Sequence, residues 1–314
     1  GQAVPPNYLE LCLNKRCPNF SLVRRATESL HRNIGLHLIK LDKKQIETNI
    51  ATPAPSATVL LLKDDGESLK VFMVVRNSGF EFAGGALVFP GGRVDLSDSI
   101  TDSNVFAPGF NQFSREEVSN RVCAIRETFE EAGILLARDR LTSKMLNSER
   151  CLELVSNYRE AIHSGDITFK DMLIKEGLEL VLESLVPYAH WITPERSSKR
   201  FDTWFYAVRT PEGQLGAHDE IESVESMWIT PKEAIDGGIS GYFKLVFATK
   251  MNLRRIENLN SVSETLKFAM KSKIVAIEPK VEREGSKIIF SIPKDAGYGI
   301  VREVEELEKT AIKS

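Results

Sequence analysis

The sequence predicts an α/β fold, because segments typical of strands alternate with segments typical of helices along the chain. Short apolar runs rich in branched and aromatic residues predict strands. Ser114 followed by Glu117 forms a capping box that predicts a helix start, and Gly133 stands where a glycine would end that helix. The predicted strands are 57–62, 69–75, 86–89, 189–192, 201–208 and 222–229.

Local signals support the remaining elements. The first two predicted strands flank Asp64-Asp-Gly-Glu-Ser68, which is typical of a hairpin turn. The segment 96–113 has no clear period and contains Pro108 and Gly109, so we expect a surface loop there. Helical patterning is expected over most of 145–184, over 231–236 and over 243–256, and a hairpin between 274 and 292.

These elements suggest three parts of the chain. Residues 1–51 are an N-terminal extension with helical periodicity, and Thr52-Pro-Ala-Pro-Ser56 is typical of a linker. Residues 52–271 are expected to form the main domain, with 96–113 as an insertion. Residues 272–314 are expected to form a hairpin and a charged tail.

Composition excludes several classes of protein. The formal net charge is −3, with 41 basic and 44 acidic side chains in 314 residues, so we expect no nucleic-acid partner. No apolar run approaches the length of a membrane span. The four cysteines predict reduced thiols in an intracellular, cytoplasmic protein, although the basic segment 15–44 leaves organellar targeting open.

Three glutamates carry the strongest chemical signal. Glu127, Glu130 and Glu131 are three and four residues apart, so a helix places their carboxylates on one face. Their mutual repulsion is unfavourable unless a divalent cation lies among them, and Mg²⁺ prefers oxygen ligands. Arg126 can hold a glutamate in place by a bidentate pair.

A pair of glycines precedes this helix in the sequence. Phe89-Pro-Gly-Gly-Arg-Val-Asp95 ends a predicted strand, and glycines let the backbone approach a metal or phosphate closely. The Gly91 carbonyl is a candidate metal ligand, and Gly92 is a candidate contact to substrate.

Together these segments resemble the Nudix box, in which a glycine, five residues, a glutamate and a spacer precede Arg-Glu-apolar-X-Glu-Glu-X-Gly-apolar. The second half fits at Arg126, Glu127, Glu130, Glu131, Gly133 and Ile134. In the first half, Asp98 stands where the family has glutamate. About 20 additional residues separate it from Arg126, and they leave the role of Asp98 open.

The resemblance implies an α/β/α sandwich around a mixed β-sheet, with the glutamate helix on one face. It also implies hydrolysis of a small-molecule diphosphate with Mg²⁺ or Mn²⁺ as cofactor. Glu130 and Glu131 are the first expected ligands, while Glu127 is a ligand or the general base. A catalytically silent binding module with this fold is the alternative, and the presence of all three glutamates argues against it.

One branch of the family is more similar than the rest. The unbroken string from Ala124 to Leu136 resembles the branch of the peroxisomal coenzyme A diphosphatase and its bacterial relatives. Coenzyme A or a derivative is therefore the favoured substrate, and dinucleotides or nucleotide sugars are the alternative. Arg76 is in step with the substrate-binding segment of this branch, but Glu81 stands where a second arginine is expected. Glu81 does not favour the 3′-phosphate of coenzyme A.

Further candidates lie after the catalytic helix. Glu222 or Glu225 could complete the metal site or act as the base, and a solvated strand edge is the alternative for both. Arg200 could bind a substrate phosphate, or pair with Asp202. The helix predicted at 243–256 could contribute to core packing and to a homodimer.

Overall fold

The computed structural model describes residues 50–79, 83–99 and 106–306. Most of the N-terminal extension, Glu81, part of the insertion and the end of the predicted tail lie outside these ranges. The strands are β1 (Ala54–Asp65), β2 (Ser68–Arg76), β3 (Leu87–Val88), β4 (Gly91–Arg93), β5 (Ala137–Asp139), β6 (Leu178–Leu180), β7 (Val186–Ile192), β8 (Phe201–Arg209), β9 (Ser223–Ile229), β10 (Ala276–Ile277), β11 (Lys280–Glu284), β12 (Lys287–Ser291) and β13 (Arg302–Glu306). The helices are α1 (Arg115–Ala132), α2 (Ser148–His163), α3 (Phe169–Lys175), α4 (Pro231–Ile239), α5 (Phe247–Arg254) and α6 (Val262–Lys271).

A mixed sheet of eight strands forms the centre of the fold. Its main path runs β10-β7-β8-β1-β2-β3, with β4 also paired to β1 and β9 to β2. β1 runs parallel to β8 and antiparallel to β2, while β7 and β8 are antiparallel. The mixed sheet implied by the family resemblance is therefore present.

Helices cover both faces of this sheet. Along β1, Ala57, Val59 and Leu61 belong to the hydrophobic cluster that contains the apolar side of α1. The intervening Leu60 and Leu62 belong to a second cluster, with residues of α4, α5 and α6. Because successive strand residues point to opposite faces, the sheet is buried on both sides. This arrangement confirms the predicted α/β/α sandwich.

The start of α1 follows from its sequence. The Ser114 hydroxyl accepts from the Glu117 N–H, and the Glu117 carboxylate accepts from the Ser114 N–H, so both halves of the capping box are made. Gly133 ends the helix in a left-handed conformation, with φ of 62°. The helix that carries the three glutamates thus begins and ends as predicted.

β1 pairs with two different strands on the same side, and this places the glycine pair beneath α1. The last residues of β1 pair with β2, whereas Ala57 and Thr58 pair with Gly92 and Gly91 of β4. The glycine pair therefore continues the sheet directly beneath α1.

The structure differs from the expected secondary structure in several places. β1 begins at Ala54, inside the segment expected to be a linker. The region 145–184 contains β6 as well as α2 and α3, and the predicted helix 243–256 begins only at Phe247. The insertion is not wholly a surface loop, because Asp98, Phe106 and Ala107 are buried. Asp98 pairs with Arg126, and Phe106 and Ala107 pack in the hydrophobic core beside α1. These contacts are with residues distant in sequence, so the sequence pattern of the insertion did not predict them.

The C-terminal region contains the expected hairpin, as β11 and β12, but the strands around it differ from the expectation. β10 pairs with β7 and so extends the central sheet beyond residue 271. β11 and β12 form an antiparallel pair, and β13 adds a third strand to it. Among the described residues, none of the helices has the length and apolar character of a membrane span.

Candidate active site

The glutamates of α1 lie directly over the glycine pair. The Gly91 N–H donates to Glu131 Oε2 at 2.9 Å. A Cβ at Gly92 would lie 2.4 Å from Glu127 Oε1, and one at Gly91 would lie 2.4 Å from the Ala57 carbonyl oxygen. Gly91 requires glycine because the backbone of β1 approaches too closely for a side chain, whereas a side chain at Gly92 would displace the Glu127 carboxylate.

Arg126 organises the carboxylates on one side of this contact. Its Nη1 lies 2.9 Å from Glu127 Oε1 and 3.1 Å from Glu130 Oε1. Its Nε and Nη2 bind the two oxygens of Asp98 at 2.8 and 2.9 Å. Burial lowers the pKa of Arg126, but the hydrogen bond of Asp98 and the charges of Glu127 and Asp98 outweigh this effect and raise the pKa above its ordinary value. Arg126 is therefore a permanent cation among these groups.

Arg76 connects the helix to a fourth carboxylate. Its Nη1 lies 3.8 Å from Glu131 Oε1, and its Nη2 lies 3.6 Å from Glu222 Oε2. Glu222 directly precedes β9, whereas Glu225 is exposed farther along that strand. Of the two candidate carboxylates from this region, the structure brings Glu222 to the α1 glutamates.

Burial and neighbouring carboxylates raise the pKa values of the three glutamates of α1. Burial, followed by the charges of Glu130 and Glu222, raises the pKa of Glu127 to about 7, against the pull of Arg126. Burial and the charge of Glu127 raise the pKa of Glu131 well above its ordinary value, and burial also raises that of Glu130. The groups therefore share one poorly solvated space in which an added cation would be stabilised.

The donor set suits a hard divalent cation, since it consists of carboxylate oxygens. Within the described ranges, no three carboxylate, imidazole or thiol side chains already stand in a metal-holding arrangement. Arg126 and Arg76 instead contact the oxygens of the glutamates. By the chemistry and burial of its donors the group fits such a cation, provided that these carboxylates turn from the arginines.

Hydrogen bonds from Arg159 join the loop that precedes Glu222 to the end of α1. Arg159 of α2 donates from Nε to the Glu130 carbonyl at 2.6 Å, and its two Nη atoms donate to the carbonyls of Ala217 and His218 at 3.0 and 3.2 Å. The Ala217 N–H also donates to the Ala132 carbonyl at 2.8 Å. Asp219 then accepts from the Glu222 N–H at 3.0 Å. These bonds set where Glu222 stands relative to the catalytic helix.

Arg200 is directed elsewhere, contrary to the expectation that it binds phosphate. Its Nε donates to the Thr193 carbonyl at 2.9 Å, its Nη1 to the Ala51 carbonyl at 3.0 Å, and its Nη2 pairs with Glu278. Its side chain is 7% exposed. Arg200 therefore joins the starts of β1 and β8 to the segment after β10. Asp202, the suggested alternative partner, pairs with His190 instead.

Two contributors were not recognised as such in the sequence. Asp98, which five residues separate from Gly92, stood at the position of the family's first glutamate, but its pairing with Arg126 was not predicted. Arg159 carried no motif at all, because its three partners are backbone carbonyls and leave no pattern in the sequence.

The chain is similar to proteins of known family. A model of the NUDT19 Nudix domain matches residues 105–243. Acyl-coenzyme A diphosphatase NUDT19 of Xenopus laevis is 26% identical over 274 residues, which cover 73% of this chain and 71% of that protein. The human protein of the same name is 26% identical over 273 residues, covering 74% of this chain and 73% of that protein.

The fold has a counterpart among solved structures. A NUDIX hydrolase from Alicyclobacillus acidocaldarius superposes with a TM-score of 0.57 and is 23% identical. The superposition covers 69% of this chain and 97% of that one. The two proteins share a fold.

Proposed function

Since this chain belongs to the Nudix hydrolase superfamily, we propose that it hydrolyses the diphosphate linkage of coenzyme A or an acyl derivative. The products are 3′,5′-ADP and 4′-phosphopantetheine or its acylated form. The observation that carries the reaction type is the convergence of Glu127, Glu131 and Glu222 beside Arg76. The substrate class is supported by the relatives named acyl-coenzyme A diphosphatase.

We assign the cation site to the carboxylates of α1. Glu130, Glu131 and Glu127 would hold Mg²⁺ or Mn²⁺, with the Gly91 carbonyl as a further oxygen donor. The bound ion would lower the pKa of a water molecule and neutralise charge on phosphate oxygens. The hydrogen bonds among Asp98, Arg126, Glu127 and Glu130 fix the positions of the two glutamate carboxylates over β4.

Glu222 is our candidate for the base. Its side chain is 35% exposed and borders the buried glutamates, so it can face an attacking water while the others face inward. Glu222 takes a proton from that water as the water oxygen attacks one phosphorus. The bond between this phosphorus and the bridging oxygen breaks, and the bridging oxygen leaves with the other phosphate. Glu127, whose charge interacts with that of Glu222, is the second candidate if it is not a ligand of the cation.

A substrate panel tests the proposal. Purified protein is incubated with Mg²⁺ or Mn²⁺ and with coenzyme A, acetyl-coenzyme A, a dinucleoside polyphosphate or a nucleotide sugar, and products are read by mass spectrometry. We expect 3′,5′-ADP from the coenzyme A compounds, and its loss in Glu222→Gln. Glu225→Gln is the matched control, because Glu225 is exposed on the same strand. Cleavage of the dinucleotide or the nucleotide sugar alone would contradict the proposed coenzyme A substrate and leave only the diphosphate hydrolysis.

A further inference from the structure

Lys244 is a cation held beside the loop that joins β2 to β3. The Leu87 N–H donates to the Lys244 carbonyl at 2.9 Å, and Lys244 pairs in parallel with Ala86. The Lys244 ammonium donates to the Gly84 carbonyl at 3.1 Å. Both backbone and side chain therefore attach Lys244 to this loop.

Its neighbours define the direction in which Lys244 points. Phe243 and Leu245 pack on α4, where a Cβ at Gly237 or Gly238 would lie 2.4 or 2.5 Å from their side chains. Lys244 stands between them and is exposed. Because alternate residues of an extended segment point to opposite sides, Lys244 points away from α4 and toward the face that carries α1.

This face is also the one that carries the candidate active site. The Arg76 N–H donates to the Ala86 carbonyl at 3.0 Å, so one strand separates Arg76 from Lys244. Two strand spacings amount to about 10 Å. The Arg76 guanidinium is engaged by Glu131 and Glu222. Lys244 thus supplies positive charge at the margin of the site, where its ammonium donates to the neutral carbonyl of Gly84.

We propose, resting on the proposed function, that Lys244 binds a substrate phosphate remote from the scissile diphosphate, namely the 3′-phosphate of coenzyme A. The ammonium is a compact cation that binds phosphate as a point charge. Glu81 lies only three residues before Gly84 in the sequence and adds negative charge to this loop. A lysine from a distant segment therefore provides the attraction that the loop's own acidic residue does not.

Coenzyme A and dephospho-coenzyme A differ only in this phosphate, so together they isolate its contribution. We expect Lys244→Met to raise the KM for coenzyme A about tenfold with kcat unchanged, while both constants for dephospho-coenzyme A stay within about twofold. Lys244→Arg keeps the charge and should retain most of the preference. Lys232→Met, at an exposed lysine of α4, is the matched control and should change neither substrate's KM.

Two outcomes would overturn the proposal. Equal effects of Lys244→Met on both substrates would show that the lysine supports the loop alone, and no effect on either would show that it does not bind the phosphate. Wild-type protein that cleaves neither compound would instead overturn the proposed function, and this site with it.

Discussion

Asp98 and Arg126 form a buried bidentate ion pair that joins the insertion to the catalytic helix, with Nε–Oδ1 at 2.8 Å and Nη2–Oδ2 at 2.9 Å. Asp98 is 1% exposed, and its own carboxylate also accepts from the Asp95 N–H at 2.7 Å. The pair therefore spans the long insertion in the sequence and keeps the arginine pointed at Glu127 and Glu130.

Removing the acidic partner should destabilise the protein. Asp98→Ala removes two of the charged contacts of Arg126 and leaves those with Glu127 and Glu130, so the loss should be at most about 3–5 kcal/mol, the cost of breaking a buried pair. Urea denaturation should record this loss of unfolding free energy, together with reduced activity. Asp166→Ala, at an exposed aspartate, should change stability by less than about 0.5 kcal/mol. Unchanged stability in Asp98→Ala would contradict the assigned role of this pair.

The assigned metal ligands predict a second result. Glu130→Gln and Glu131→Gln should each reduce turnover in Mg²⁺ by at least about a hundredfold, because each keeps the side chain's shape and removes its charge. Folding should survive, since repulsion among the carboxylates falls. Steady-state rates and circular dichroism measure both effects, with Glu225→Gln as the control. Near-normal activity in either variant would remove that residue from the ligand set.

The raised pKa of Glu127 predicts how metal-free stability depends on pH. Its pKa is about 7 in the folded protein against 4.5 ordinarily, so ionisation costs folding free energy once the pH exceeds the ordinary value. The cost grows from pH 4.5 to 7 and then stays constant, at up to about 3 kcal/mol. In EDTA, Glu127→Gln should therefore raise Tm at pH 8 and leave it nearly unchanged near pH 4.5.

Calorimetry of both proteins across this range, with and without Mg²⁺, provides the measurement. Mg²⁺ should raise the Tm of the wild type more than that of the variant, because the ion offsets the same repulsion. A stabilisation by Glu127→Gln that is as large at pH 4.5 as at pH 8 cannot come from this ionisation.

Arg159 predicts an effect on catalysis through positioning. Arg159→Met removes the bonds to the carbonyls of Glu130, Ala217 and His218, so Glu222 loses its fixed distance from α1. We expect kcat to fall at least about tenfold with a smaller change in KM. Arg159→Lys should recover part of this loss. Arg150→Met alters an arginine of the same helix that pairs with Glu153 and Glu176, and it should leave kcat unchanged.

Glu81 predicts a gain of function from the sequence alone, since this residue lies outside the described ranges. Coenzyme A hydrolysis should be measurable but weak, and Glu81→Arg should improve it by lowering KM. A contact remote from the reacting bond binds ground and transition states alike, so kcat should stay the same. Initial rates over a range of coenzyme A concentrations separate the two constants. A changed kcat with constant KM would contradict this interpretation.

The helix that carries Glu127, Glu130 and Glu131 could be predicted from the sequence because its determinants are local. The capping box, the terminal glycine and the spacing of the glutamates all act within one helix, where residues three and four apart are neighbours. The role of the glycine pair could also be predicted, since a close approach of two backbone segments favours glycine.

The tertiary structure decided which distant groups join this helix. Arg76, Asp98 and Glu222 come from separate segments, and their meeting depends on how β1 divides between β2 and β4. The same packing turned Arg200 toward Glu278 and brought Lys244 beside Ala86. Packing and burial decide which distant residue pairs with a charged side chain. Neither leaves a periodic pattern or a fixed spacing in the sequence, so the sequence alone did not identify these partners.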